Sequence, residues 1–454
     1  MNIVLLGIVV YVLCQLLIGV FMTRRVKTEA DYLLAGRGIG LGLGSFTVFA
    51  TWFGAETCIG AAGSIYENGL AGGSADPFGY AACLLFMALV FAVPLWKRGL
   101  TTFADLFHSR YSPGVERLAV LMLAPTSVMW AGAQIRGFGQ VLAASSELEV
   151  EIAVSAAAAV VILYTAYGGM MADVMTDFVQ GIALILGLAV LFFVVMQAGG
   201  MAALQRVEPE KLQLFGGTAQ PWWTTLEAWA IPICGSVFSQ ELVARVLCSR
   251  SSGVARNACL VGGGMYLAVG LIPVAIGLAG VSLMPGLEHP EQLLPRLAQQ
   301  HLGTLAYILF AGALISAVLS TVDSALLAAS ALVAHNLLMP LKPHLGETAK
   351  VRLSRSMVAL FGFVAYVLAL TAEGVHDLVE EASAFGSAGV FVAAVFALSG
   401  RWGGAASAYA ALVAGMATWI AGAHVLELDA PYLVSLLAAL GAYVLTALFH
   451  RRPH

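Results

Sequence analysis

Apolar stretches of about 20 residues, the length that crosses a bilayer core as a helix, recur along nearly the whole chain. Thirteen are present, at 2–21, 40–64, 77–97, 117–143, 150–168, 173–198, 223–247, 255–283, 302–336, 353–371, 376–399, 403–424 and 430–450. Where water is absent every backbone amide needs a partner inside its own segment, so these stretches are helices. A soluble fold cannot hide all of them. Of 454 residues 60% are hydrophobic and 11% charged, against roughly 25% charged in a soluble domain. Mean hydropathy is +0.89. The spacing predicts an all-α membrane protein of about 13 transmembrane helices, one domain over 1–454, with the lipid bilayer as its surroundings. A net charge of −4 excludes nucleic acid as a partner, since that needs a clustered basic surface.

The positive charges near the first stretch (Arg24, Arg25, Lys27) follow the apolar run, and no small-residue cleavage site is evident. That order reads as a retained helix with its amino terminus outside, not a cleaved leader. On this topology the cytoplasmic ends carry Arg24, Arg25, Lys27 and Arg37, then Lys97, Arg98, Arg110 and Arg117, then Arg245, Arg250 and Arg256. Lys342, Lys350, Arg352, Arg355, Arg401, Arg451 and Arg452 complete a set of 18 among 22 Lys and Arg. Arg206, Lys211 and Arg296 fall outside, and Arg136 lies within a span. The bias obeys the positive-inside rule and puts the carboxyl terminus in the cytoplasm, in a plasma (inner) membrane. Six cysteines (Cys14, Cys58, Cys83, Cys234, Cys248, Cys259) show no CxxC spacing or Cys/His cluster. They read as buried thiols.

Charges at membrane depth cost at least a few kcal/mol each and mark either a function or a structural pair. Glu56, Arg136, Asp177, Glu241 and Asp323 are the candidates. The second span, GLGLGSFTVFATWFGAETCIGAAGS, is interrupted by Gly42, Gly44, Gly54, Gly60 and Gly63 around Glu56. Unwound backbone at that depth is tolerated only where it lines a cavity, and it releases carbonyls that can hold a cation. No strand or βαβ unit accompanies the glycines from Gly36 to Gly44, so they are no dinucleotide fingerprint. The ninth span contains AGALISAVLSTVDSALLAAS, with Ser316, Ser320, Thr321, Asp323, Ser324 and Ser330. Ser320 and Ser324 lie one turn apart on one face. Crowded hydroxyls suit a desolvated hard cation and equally suit helix packing.

YTAYGGMMADVMTDFVQ (164–180), ISAVLSTVDSALLAAS (315–330) and FATWFGAETCIG (49–60) together resemble the sodium:solute symporter family. Members carry sugars, proline, choline, pantothenate or small carboxylates. The resemblance implies a LeuT-like fold of inverted five-helix repeats. A leading helix and loop (1–39) would precede an inverted-repeat core (40–399), with two trailing helices (400–454) after it. The glycine pattern and GSVFSQELVARV (235–246) agree with broken second and seventh helices. The resemblance further implies a sodium site from the carbonyls of Ala50, Phe53 and Ala317 and the hydroxyls of Ser320 and Thr321. Asp177 would supply negative charge nearby, and some members hold a second sodium near the position of Ser324. Sodium is then the coupling ion, with no organic cofactor.

GRGIGLGLGSFTVFATWFG (36–54) and PFGYAACLLF (77–86) resemble the high-affinity choline transporter branch. Its aromatic cage, which draws a quaternary ammonium to ring faces, would correspond to Trp52, Tyr80 and Trp130. A fourth aromatic aligns near Ser239, beside Phe238, a departure from the choline pattern. The implied substrate set is Trp52, Glu56, Thr57, Tyr80, Trp130, Ser239 and Glu241, for a cationic or zwitterionic small molecule. Arg136 either pairs with a carboxylate or receives one from a zwitterion. Trp222, Trp223 and Trp229 border a loop and fit an interfacial belt. A channel would need a continuous polar pore, and an enzyme a convergent nucleophile and base or metal ligands; neither pattern is present. A membrane solute sensor on the same scaffold is the rival reading, although no signalling module follows the last span.

Overall fold

Breaks inside apolar helices, more than the loops between them, organise this chain. The computed structural model describes residues 26–144, 148–215, 221–372, 374–400 and 402–449, with Leu6, Gly7, Val10, Leu13 and Leu17. The rest of the first predicted span, Cys14, Arg24, Arg25, Arg401, Arg451 and Arg452 lie outside the described residues. The helices that build the bundle are α1 (Leu41–Trp52), α2 (Ala61–Asn68), α3 (Tyr80–Phe86), α4 (Pro113–Ala144), α5 (Val150–Gly168), α6 (Met170–Val195), α7 (Trp222–Ala230) and α8 (Gln240–Leu247). They continue as α9 (Ser252–Leu283), α10 (Thr304–Val333), α11 (Glu347–Thr371), α12 (Val375–Ala384), α13 (Ser387–Ser399), α14 (Ala405–His424) and α15 (Pro431–Phe449). Short helices and tight turns fill the connections.

Among the described residues eight helical stretches are long and apolar enough to cross a membrane, or up to ten if each of two bent pairs is one span. One pair bends by 44° between α7 and α8, the other by 41° between α12 and α13. α1 and the apolar part of α5 are shorter than a full crossing. The predicted count of about 13 is therefore not reached by the described residues. Hydropathy reads straight through the breaks, so one predicted span becomes two half-helices. α5 passes into α6 without a loop, because Gly169 takes φ 73°, and a Cβ there would meet the Tyr32 ring at 2.7 Å.

α10 is the centre. Every residue from Phe310 to Leu332 is buried, and α4, α6 and α11 pack around it. α1 packs against α6 and α9. The outer helices keep apolar stripes turned outward, as at Leu186, Phe193, Phe363 and Leu437. That is the arrangement expected where the surrounding solvent is lipid. Cys58, Cys83, Cys248 and Cys259 are buried free thiols and Cys234 is half-buried.

At one end of the bundle a single parallel backbone bridge joins Ile39, just before α1, to Ser249, just after α8. Ile39 N donates to the Cys248 carbonyl at 3.2 Å and Arg250 N to the Ile39 carbonyl at 2.9 Å. At the same end Asn336 donates to Asp105 and to Glu116, each at 2.7 Å. The trailing pair is tied down by Glu227 of α7, which accepts from the amides of Tyr432 (2.6 Å) and Leu433 (2.8 Å) in the first turn of α15. Helix amino termini leave such donors unpaired, and a carboxylate there satisfies both hydrogen bonding and the helix dipole. Glu227→Ala strips two amides, one buried and one half-buried, of their acceptor and is expected to cost about 1–3 kcal/mol. A thermal-unfolding comparison in detergent checks this, with Glu227→Gln expected to fall between the variant and the parent.

Candidate cation and substrate site

α1 ends at Trp52. Phe53 takes ψ 71°, which turns its carbonyl out of the helical ladder, and a π-helical turn over Glu56–Gly60 restores the helix. Something must bond the peptide groups released there. Gln134 of α4 supplies its Oε1 to Ala55 N at 2.7 Å. Thr321 of α10 lies across the same gap, its hydroxyl 3.1 Å from the Ala317 carbonyl and 3.4 Å from the Ala50 carbonyl. Only a glycine fits between them. A Cβ on Gly54 would lie 2.3 Å from Gln134 Oε1 and 2.7 Å from Thr321 Oγ1.

Ser320, next to Thr321, donates to Asp177 Oδ1, and Thr47 donates to Asp177 Oδ2. The structure thus gathers Ala50, Phe53, Ala317, Ser320, Thr321 and Asp177 around the α1 break. All but Asp177 belong to α1, its break or α10. Ser324 faces a different partner. Arg245 donates to its hydroxyl, to Asp173 and, at 2.9 Å, to Thr51. Sequence order grouped Arg245 with the positive charges of the cytoplasmic loops and ends; the structure puts it in the last turn of α8, turned inward. It is 1% exposed, inside the core, and Asp173 beside it is 4% exposed. Asp323, one residue before Ser324, accepts instead from Thr165.

The residues expected to hold a substrate fall into two groups. Thr57 hydrogen-bonds Asp76 at 2.6 Å and Tyr266 at 2.7 Å, and Tyr266 donates to Asp76 at 2.9 Å. Glu56 is buried beside this trio. On the other side of the α1 break, Trp52, Tyr80 and Trp130 pack against one another with ring centroids 5.2–5.7 Å apart. Trp52 and Tyr80 are buried behind Trp130, which alone of the three lines a cavity. That cavity lies where the α7–α8 and α12–α13 breaks face α4, with Ser239, Glu241, Ser236, Ser383 and Ser387 in its wall. Among the described residues Glu241 Oε1 has no hydrogen-bond partner, although the side chain is buried. Ser239 also caps α8, accepting from Leu242 N at 3.4 Å. Arg136 donates to the Ala369 carbonyl at 3.2 Å, near the end of α11. Gln134, Asp76, Tyr266 and Asp173 escaped the sequence reading.

The sodium:solute symporter family model matches residues 32–417, and the chain belongs to that family. Its sequence is 26% identical over 394 residues to the high-affinity choline transporter 1 of Drosophila melanogaster, covering 82% of this chain. The chain spans 63% of that relative's length. It is 25% identical over 378 residues to the sodium/pantothenate symporter of Escherichia coli (strain K12), covering 79% of this chain and 77% of the relative. Among solved structures, a substrate-bound, outward-open Na⁺-coupled sialic acid symporter superposes with TM-score 0.84 at 17% identity, over 98% of this chain and 97% of that one. A nucleobase-cation-symport-1 family transporter gives TM-score 0.62 at 15% identity, over 93% and 95%. These likenesses show the fold, that of the LeuT-like transporters.

Gly54→Ala tests the wedge at the break. Forcing a methyl between Gln134 and Thr321 is expected to cost about 1–3 kcal/mol by overpacking. Gly42→Ala, within α1 and with nothing near its added Cβ, is expected to be neutral or stabilising, since alanine favours helix. Thermal melting of both variants in detergent checks the contrast.

Proposed function

We propose that this protein is a sodium-coupled symporter of a small cationic or zwitterionic solute. The observation that carries the reading is the Thr321 hydroxyl set against the Ala50 and Ala317 carbonyls at a helix break. Sodium is a hard ion that sheds its water only for several oxygens at short range. Ala50, Phe53 and Ala317 would offer carbonyls, Ser320 and Thr321 hydroxyls, and Asp177 the neighbouring charge that lowers the cost of dehydration. Because these ligands come from both α1 and α10, an ion bound there would fix one helix against the other. That is how ion binding can be coupled to a change of shape.

The solute would lie in the cavity at the α7–α8 break. Glu241 and Trp130 both line it, a carboxylate and a ring, the two groups that receive an ammonium head. Trp52 and Tyr80 would support Trp130 from behind. Glu56 and Thr57 would hold the unwound segment through Asp76 and Tyr266, Ser239 would contribute as cap and wall, and Arg136 would stay with the Ala369 carbonyl. The names of the choline and pantothenate relatives suggest the range of cargo. The proposed layout keeps a leading segment (1–39), an inverted-repeat core (40–399) and two trailing helices (400–454), in a plasma membrane with the amino terminus outside.

Uptake into proteoliposomes, with and without an inward sodium gradient, tests the coupling. Ser320→Ala with Thr321→Ala removes two oxygen ligands, and transport at low sodium is expected to collapse. Asp177→Asn keeps the shape without the charge and is expected to lose sodium-driven uptake while still inserting in the membrane. Wild-type uptake in both would refute the site.

The cargo is tested by competition among choline, betaine, proline, acetate and glucose. A desolvated cation–π contact is worth about 2 kcal/mol, so Trp130→Ala is expected to weaken affinity by at least about tenfold, and Trp130→Phe by less. Inhibition by acetate or glucose alone would refute the cationic reading and leave the symporter reading standing.

A further inference from the structure

Arg245 sits on α8, one turn beyond Glu241, and is 1% exposed. A guanidinium so deep must be met by partners, because stripping its water is costly. It has them on three sides. Nε donates to Thr51 Oγ1 of α1 at 2.9 Å, Nη1 to the Met170 sulfur of α6 at 3.2 Å, and Nη2 to Asp173 Oδ2 and to Ser324 Oγ of α10. Asp177 Oδ2 is 3.6 Å from Nη2. The same three helices, α1, α6 and α10, supply the oxygens and the carboxylate of the proposed sodium site one turn away.

Ser324 Oγ is placed to donate to the Ser320 carbonyl at 2.9 Å or to either Asp173 oxygen at 3.3 Å, and stands 3.5 Å from Thr51 Oγ1. A hydroxyl has one proton and two lone pairs. With Arg245 Nη2 on both Ser324 Oγ and Asp173 Oδ2, the guanidinium takes the ground between these two residues that a second metal ion bridging them would need. Charge points the same way: the guanidinium is in reach of two carboxylates, Asp173 and Asp177, and offsets one of their two negative charges.

We propose that Arg245 is a tethered cation filling the position beside Ser324, so that this transporter binds a single sodium ion per cycle. The inference rests on the sodium reading above and adds the ion count and the group that sets it. A guanidinium tied to α8 cannot leave with the cargo. It would keep the second position permanently charged, while the ion at Ser320 and Thr321 exchanges.

Equilibrium binding of radioactive sodium to the purified full-length chain in nanodiscs tests this. The wild type is expected to bind about one ion per chain with a Hill coefficient of about 1. Thr321→Ala is expected to weaken that binding by at least about tenfold. Arg245→Gln uncovers Asp173 and Ser324 and is expected to bind a second ion, with a Hill coefficient rising toward about 2. Arg245→Gln combined with Asp173→Asn restores the charge balance and is expected to return to one. Two ions bound by the wild type would overturn the inference and leave the symporter reading intact. A folded Arg245→Gln variant that still binds one ion at unchanged affinity would overturn it as well. Absence of saturable sodium binding in the wild type would overturn both readings. If Arg245→Gln fails to fold, the wild-type ion count decides alone.

Discussion

A peptide group released from its helix in a water-free interior costs several kcal/mol unless another group bonds it. The architecture around the α1 break follows from meeting that cost with side chains of neighbouring helices. Gln134 takes the Ala55 amide, and Thr321 stands against the Ala50 and Ala317 carbonyls. Such a repair requires that the neighbour be wholly inside the protein, and α10 is buried from Phe310 to Leu332. A helix half-exposed to lipid could not carry Ser320, Thr321, Asp323 and Ser324 within two turns.

The same economy explains how the buried charges are distributed. Asp76 is satisfied by Thr57 and Tyr266 on one side of the α1 break. Asp173 and Asp177 on another side are satisfied by hydroxyls and by Arg245. Glu241 differs: among the described residues its Oε1 meets no hydrogen-bond geometry, and the side chain lines the cavity. A buried acceptor left open is costly to the fold, and a cavity-facing one gains most from a ligand that brings a donor.

Much of this was legible from the residues. Hydropathy locates the spans because lipid imposes one length on all of them, and the glycine at 54 marks the α1 break because little else fits there. The oxygens at Ser320 and Thr321 stand out as hydroxyls crowded into an apolar run. What hydropathy could not show is where a helix breaks and what lies across from it. Arg245 follows an apolar run and precedes other arginines, which is the pattern of a cytoplasmic loop; only the proximity of Asp173, 72 residues earlier, draws it inward. Gln134, Asp76 and Tyr266 escaped notice for the same reason, since each acts on a partner distant in sequence. The aromatic trio was legible as a set. Which ring meets the cavity depends on side-chain packing, and it is Trp130.

The backbone bridge between Ile39 and Ser249 has a mechanical consequence. It fastens the start of α1 to the end of α8 at one end of the bundle. The proposed ion ligands lie at the opposite end of α1, and Glu241 at the opposite end of α8, roughly 18 and 12 Å away at 1.5 Å per residue. Two arms pinned at a common point cannot slide past each other there, so relative motion between them is a change of angle, in which the longer arm sweeps the wider arc.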